Sequence, residues 1–243
     1  MPDSSLGEIS VPIEDSTLQL AELAGYIATI CFTLQYAPQA YLNYKRKSVQ
    51  GFSTTGVLIK LVGASFLAVN AILLGEALPL CIYGIFNVSQ HVIFMIQFAF
   101  YMKQKKFFWF CALPLIPLIV GVSLPETIPL TNTLKPISQL TSHLPQLYLS
   151  YKKRTTEGVS LSTQHLNVIG GFCGLFMYSF IEAKSFMTVL VYWNSLFQAF
   201  SLYALAVYFD GWERIWSSLP LVGGNQGSTR EEPALPTVKN PDD

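Results

Sequence analysis

Tyr36-Ala37-Pro38-Gln39, followed by Lys45-Arg46-Lys47-Ser48-Val49-Gln50-Gly51-Phe52-Ser53, has a second copy in the same chain. That copy lies 107 residues on: His143-Leu144-Pro145-Gln146, then Lys152-Lys153-Arg154-Thr155-Thr156-Glu157-Gly158-Val159-Ser160. Aligned without gaps, positions 38–53 and 145–160 agree at eight of sixteen places, and basic residues face basic ones at two more. An internal repeat outranks other sequence signals, because it means that one structural unit is used twice.

Outward from the repeat, the chain is apolar. Of its 243 residues 51% are hydrophobic and 12% charged, with a mean hydropathy of +0.40. A soluble domain carries about 25% charged residues, so this composition predicts an integral membrane protein. The formal net charge of zero leaves no basic footprint for nucleic acid. Cys31, Cys81, Cys111 and Cys173 all fall in apolar runs without metal-ligand spacing. They read as small hydrophobic residues. Residues 1–16 are polar and acidic and lack the basic start of a cleavable signal peptide.

Seven segments are long and apolar enough to cross ~30 Å of hydrocarbon. They lie near 18–43, 55–74, 78–102, 107–124, 131–151, 162–182 and 185–209. The fourth holds Pro114 and Pro117 and has no partner in the repeat. Three crossings leave a chain on the opposite side, so one extra crossing lets the second unit run parallel to the first. The expected fold is all-α: two parallel three-helix bundles, 18–102 and 131–209, joined by a linker helix, 107–124, in a 3+1+3 order. A polar N-terminus, 1–17, and a disordered tail, 210–243, complete the chain.

Basic residues set the orientation. Lys45, Arg46, Lys47, Lys103, Lys105, Lys106, Lys152, Lys153 and Arg154 follow segments one, three and five. The alternate connections carry Lys184 beside Glu76, Glu126 and Glu182. The basic side is therefore cytosolic, with the N-terminus luminal and the C-terminal tail cytosolic. Trp109, Trp212 and Trp216 suit the interfaces. The sequon Asn87-Val88-Ser89 lies inside a span and is expected to stay unmodified. In the tail, Glu231 to Pro236 is loosely like an acidic sorting signal or is simply a solubilising stretch.

Several polar residues fall inside these spans. Pro38 and Pro145 each remove a helical hydrogen bond, and Gln39 and Gln146 can supply an amide donor nearby. The four read as a matched pair of hinges, or else as static kinks. Asn87 and His91, four apart on one helix face, have Asn194 and Gln198 as repeat partners. Together they make either a hydrogen-bonding floor for a small polar solute or interhelical glue. Lys60 is an ionisable residue at membrane depth, which marks a site by default, although its stem can also reach back to the headgroups. His91 and His143 are candidate proton carriers or packing residues. Gly170, Gly171 and Gly174 give segment six a flat surface for close helix approach. No paired-carboxylate, phosphate-loop or triad pattern occurs, so neither an enzyme nor a cofactor is expected.

The chain resembles the PQ-loop membrane proteins, the cystinosin-like family, and more distantly the SWEET sugar carriers and the KDEL receptor. Pro38-Gln39 to Ser53 and Pro145-Gln146 to Ser160 carry the likeness, within residues 20–209. The resemblance implies alternating access around a central site between the two bundles, in a lysosome-like or vacuolar membrane. SWEET carriers similarly place an asparagine on each helix corresponding to Asn87 and Asn194. Cystinosin-like exporters set a proton-coupling aspartate nine residues after the second motif glycine. Here that place holds Asn167, and its counterpart in the first copy is Lys60. The expected function is transport of a small polar or zwitterionic, amino-acid-like solute, with protons as a candidate coupling ion. The rivals are a non-transporting helper of the endoplasmic reticulum and an uncoupled sugar facilitator.

Overall fold

The computed structural model describes residues 15–76, 78–180 and 186–219. All regular structure in them is helical. Most of the expected N-terminal arm, most of the expected tail, Glu182 and Lys184 lie outside the described residues. The first repeat holds α1 (Asp15–Leu34), α2 (Ala37–Arg46), α3 (Thr54–Leu73) and α4 (Leu78–Tyr101). The linker holds α5 (Lys106–Phe110) and α6 (Leu115–Ser123). A 3-10 turn, Pro125–Thr127, leads to α7 (Ile128–Thr131). The second repeat continues with α8 (Leu134–Thr141), α9 (Leu144–Lys153), α10 (Leu161–Ser179) and α11 (Phe186–Asp210), followed by the short α12 (Glu213–Trp216).

Among the described residues, five helical stretches are long and apolar enough to cross a membrane: Ser16–Arg46, Thr54–Leu73, Cys81–Tyr101, Lys106–Ser123 and Val189–Asp210. The predicted spans at 131–151 and 162–182 are not among them. The first is split into short helices, and α10 carries Ser162, Thr163, Gln164, His165 and Asn167 in its opening turns.

Each repeat interrupts its first segment at the proline. α1 stops at Leu34 and α2 starts at Ala37, with Pro38 in its first turn. α8 stops at Thr141 and α9 starts at Leu144, with Pro145 in its first turn. In a first turn the missing proline N–H has no intrahelical partner to lose. The copies agree down to the backbone. α2 and α9 both end on a left-handed cap, Lys47 (φ 52°) and Arg154 (φ 53°). Ser53 caps α3 by accepting from Gly56 N–H, and Ser160 caps α10 by accepting from Thr163 N–H. Their φ/ψ pairs are −77°/113° and −76°/112°. Local sequence therefore dictates the same turn-and-cap geometry twice.

Packing runs across the repeats as well as within them. α3 packs on α4, and α10 on α11. Between repeats, α1 lies along α10, and α8 lies along α3. The buried stripe of α1 is Ala21, Ala24, Ala28 and Cys31. It faces an α10 surface whose Gly170 would set a Cβ 3.1 Å from that of Cys31. In lipid, helices gain little from the hydrophobic effect, and such close approach is what holds them together. The same holds for α3 on α8, where a Cβ at Gly63 would overlap Ser138. Among the described residues the linker packs chiefly on the first repeat: Phe107 meets Phe98, and Gly121 meets Leu73 and Val69.

Candidate functional site

The two motif loops meet face to face. A Cβ at Gly51 (φ +86°) would sit 2.9 Å from Gly158 Cα, so the backbones touch where the copies face each other. Each motif glutamine reaches across this contact. Gln39 Nε2 donates to Gly158 O at 3.0 Å, and Ser160 N–H donates to Gln39 Oε1 at 2.6 Å. Reciprocally, Gln146 Nε2 donates to Gly51 O at 2.9 Å, and Ser53 N–H donates to Gln146 Oε1 at 2.7 Å. Both amides also stay on their own helix, Gln39 to Asn43 Oδ1 at 2.9 Å and Gln146 to Ser150 Oγ at 3.2 Å. The nearby amide donor is thus turned to the opposite repeat, and not to the carbonyl freed by its own proline. Arg46 adds a further tie, donating to Glu157 O at 2.5 Å.

Directly beside this double bridge is a cavity of about 40 Å³ between the repeats. That is room for a few waters. Lys60, His91, His143 and Gln198 line it, along with Gln39 and Gln146. Lys60 points inward: its Nζ lies 4.9 Å from the Tyr36 ring centroid. His91 is fully buried, 4.7 Å from the same ring and edge-on to it. Its Nδ1 lies 2.7 Å from Asn87 O. A carbonyl only accepts, so Nδ1 carries the hydrogen and Nε2 is left without a protein partner. His143 is buried and likewise has no partner at Nε2.

The remaining candidates are spread around this centre. Asn87 is buried outside the cavity wall and accepts from Lys135 Nζ at 3.3 Å, while its Nδ2 is unpartnered. Asn194 donates to Gln139 O at 2.9 Å, inside its own repeat, and does not line the cavity. Asn167 is buried beside Gln164, donating to its Oε1 at 3.1 Å, and its own Oδ1 is unpartnered. The proposed four-residue floor is therefore uneven, with His91 and Gln198 at the cavity and the two asparagines bonded elsewhere.

Tyr36, Lys135 and Gln164 were missed in the sequence. Tyr36 and His143 occupy matched positions at the two helix breaks, and both line the cavity. Tyr36 belongs to an aromatic cluster with Phe94, and Phe52 packs against Phe94 and Phe98. Lys135 is an ionisable residue inside a predicted span, which is a usable signal; its place near the segment end and its lack of a basic repeat partner hid it. Gln164, which lines the cavity, has Val57 as its counterpart and carried no repeat signal.

Comparison with known proteins bears on this arrangement. A model of the PQ loop repeat matches residues 20–80 and 131–187. Over 96 residues, 40% of this chain, the sequence is 28% identical to a vacuolar histidine transporter of Saccharomyces cerevisiae. It is 27% identical over the same length to a vacuolar lysine transporter of that yeast. Those matches span 32% and 31% of the relatives' own lengths. A solved eukaryotic SWEET transporter shares the fold with a TM-score of 0.51 at 15% identity, covering 81% of this chain and 98% of that one.

Proposed function

This chain is a PQ-loop repeat protein, and we propose that it is a carrier that moves a small polar, amino-acid-like solute by alternating access between its two repeats. One observation carries the reading: a cavity between the repeats is lined by Lys60, His91, His143 and Gln198 among apolar side chains, and the two reciprocally bridging glutamines form part of its wall. A cavity that admits only water is one state of such a cycle. Admitting a solute requires the repeats to part on one side, and the interruptions at Pro38 and Pro145 are where each first segment can bend. The yeast relatives, named as vacuolar transporters of histidine and lysine, support the amino-acid-like solute and a vacuole-like membrane.

The arrangement that serves this cycle is seven spans in the 3+1+3 order, with the N-terminus luminal and the motif loops and tail cytosolic. In it Lys60, His91 and Gln198 contact the solute, and Asn87, Asn167 and Asn194 position the helices around it. The test is uptake into proteoliposomes across a panel of amino acids and sugars, with and without a pH gradient. Saturable uptake of at least one solute is expected. Folded protein that moves none of them would overturn the carrier.

A second reading, transport without proton coupling, is favoured by Asn167 and by the lack of any carboxylate among the described cavity residues. It predicts uptake that ignores the pH gradient. Proton coupling would place the proton on His91 or His143, and uptake would then rise when the gradient is imposed.

A further inference from the structure

Lys60 and Lys135, both partly buried, turn two ammonium groups toward buried partners, one from each repeat. Lys60 lines the cavity, against Tyr36. Lys135 donates to Asn87 Oδ1 and lies 5.6 Å from the Tyr83 ring centroid. Lys60 Nζ and His91 share the Tyr36 ring, His91 Nδ1 donates to Asn87 O, and Asn87 Oδ1 accepts from Lys135, so one chain of contacts joins the two ammonium groups, with Lys135 itself behind the cavity lining. Among the described residues no acid acts on either ammonium. Glu22 faces outward from α1, while Glu76, Glu126, Glu157, Asp210 and Glu213 lie in connections or helix-end turns.

An unpaired interior charge carries a desolvation cost of several kcal/mol. An aromatic face returns about 2 kcal/mol when the pair is desolvated, less than that cost. We propose that the missing counter-charge is the solute itself: a small organic anion with two carboxylates, a dicarboxylic acid or an acidic amino acid, that bridges Lys60 and Lys135. The proposal rests on the carrier reading and names its solute class. Two ammonium groups on opposite repeats match two separated carboxylates. A compact phosphate is held elsewhere by arginine forks or backbone N–H groups. No arginine is among the described residues that line this cavity, and the nearby Ser53 and Ser160 N–H groups already serve the glutamines. A cationic amino acid would meet two like charges and no acid.

The experiment is counterflow in proteoliposomes with radiolabelled succinate and glutamate, beside lysine, histidine, glucose and inorganic phosphate. Succinate or glutamate is expected to exchange saturably. Lys60→Gln and Lys135→Gln should each lower that exchange at least tenfold, and Lys60→Arg should retain a substantial part of it. Thermal unfolding separates this from a structural role: the two neutral variants should melt no lower than the parent, because each loses an unpaired interior charge. Exchange of lysine, histidine, glucose or phosphate without succinate or glutamate would leave the carrier standing and overturn the dianion. If nothing is exchanged, the carrier fails; saturable stabilisation of the purified protein by succinate, lost in Lys60→Gln, would still sustain the anion site, and its absence would overturn that too.

Discussion

Gln39 and Gln146 tie the two motif loops to each other. Each is buried, and each pairs a backbone N–H and a backbone carbonyl of the opposite motif loop. Gln39→Ala strands Ser160 N–H and Gly158 C=O, at about 1–3 kcal/mol for each buried group left unpaired. The thermal midpoint of the detergent-purified protein should drop by several degrees, and Gln146→Ala should do the same by symmetry. The two changes should not add. Once one bridge is gone the loops part and the second bridge has lost its geometry, so the double variant should fall short of the sum. Strict additivity would mean two independent bonds and no single latch. Lys60 teaches a related lesson. From sequence its head could reach either lipid headgroups or the interior; the structure turns it inward because the Tyr36 face is there to receive it.

At the scale of elements, what local chemistry dictates was legible and what the facing repeat dictates was not. The break at each proline and the doubled motif appear as expected, and the serine caps, though not anticipated, also follow from short stretches. The destination of the glutamine amides depends on the partner loop standing within 3.0 Å, which no single stretch encodes. Asn194 shows the same limit: its repeat partner Asn87 meets Lys135, while Asn194 meets a backbone carbonyl, and the position matching Lys135 in the first repeat is Ala28, which has no ammonium to offer. The break itself can be tested. Pro38→Ala restores an N–H one helical turn from the Leu34 carbonyl and lets α1 run into α2. If the break is the hinge, uptake of the identified solute should fall about tenfold, a barrier increase near 1.4 kcal/mol, with thermal stability unchanged or raised. Pro145→Ala should behave alike. Full uptake by both variants would make the breaks static.

For the whole molecule, the repeat predicted two bundles side by side, yet the helix pairings also cross between them: α1 with α10, and α8 with α3. The small residues explain this, since the alanine stripe of α1 faces the glycine surface of α10. That seam can be stapled. A cysteine at position 170 would place its Cβ 3.1 Å from the Cβ of Cys31, slightly inside the ~3.5–4.5 Å of a relaxed disulfide. Gly170→Cys, with Cys81, Cys111 and Cys173 changed to serine, should therefore cross-link to Cys31 on mild oxidation, seen as one linked peptide pair by mass spectrometry. A chain in which α1 packed only within its own repeat would give no such pair. The bond also tests the cycle. If the solute enters by the repeats sliding apart along α1 and α10, oxidation should stop uptake and reduction should restore it. Uptake that continues with the bond closed would keep the cross-repeat pairing and move the opening to the other seam, between α8 and α3, where Gly63 meets Ser138.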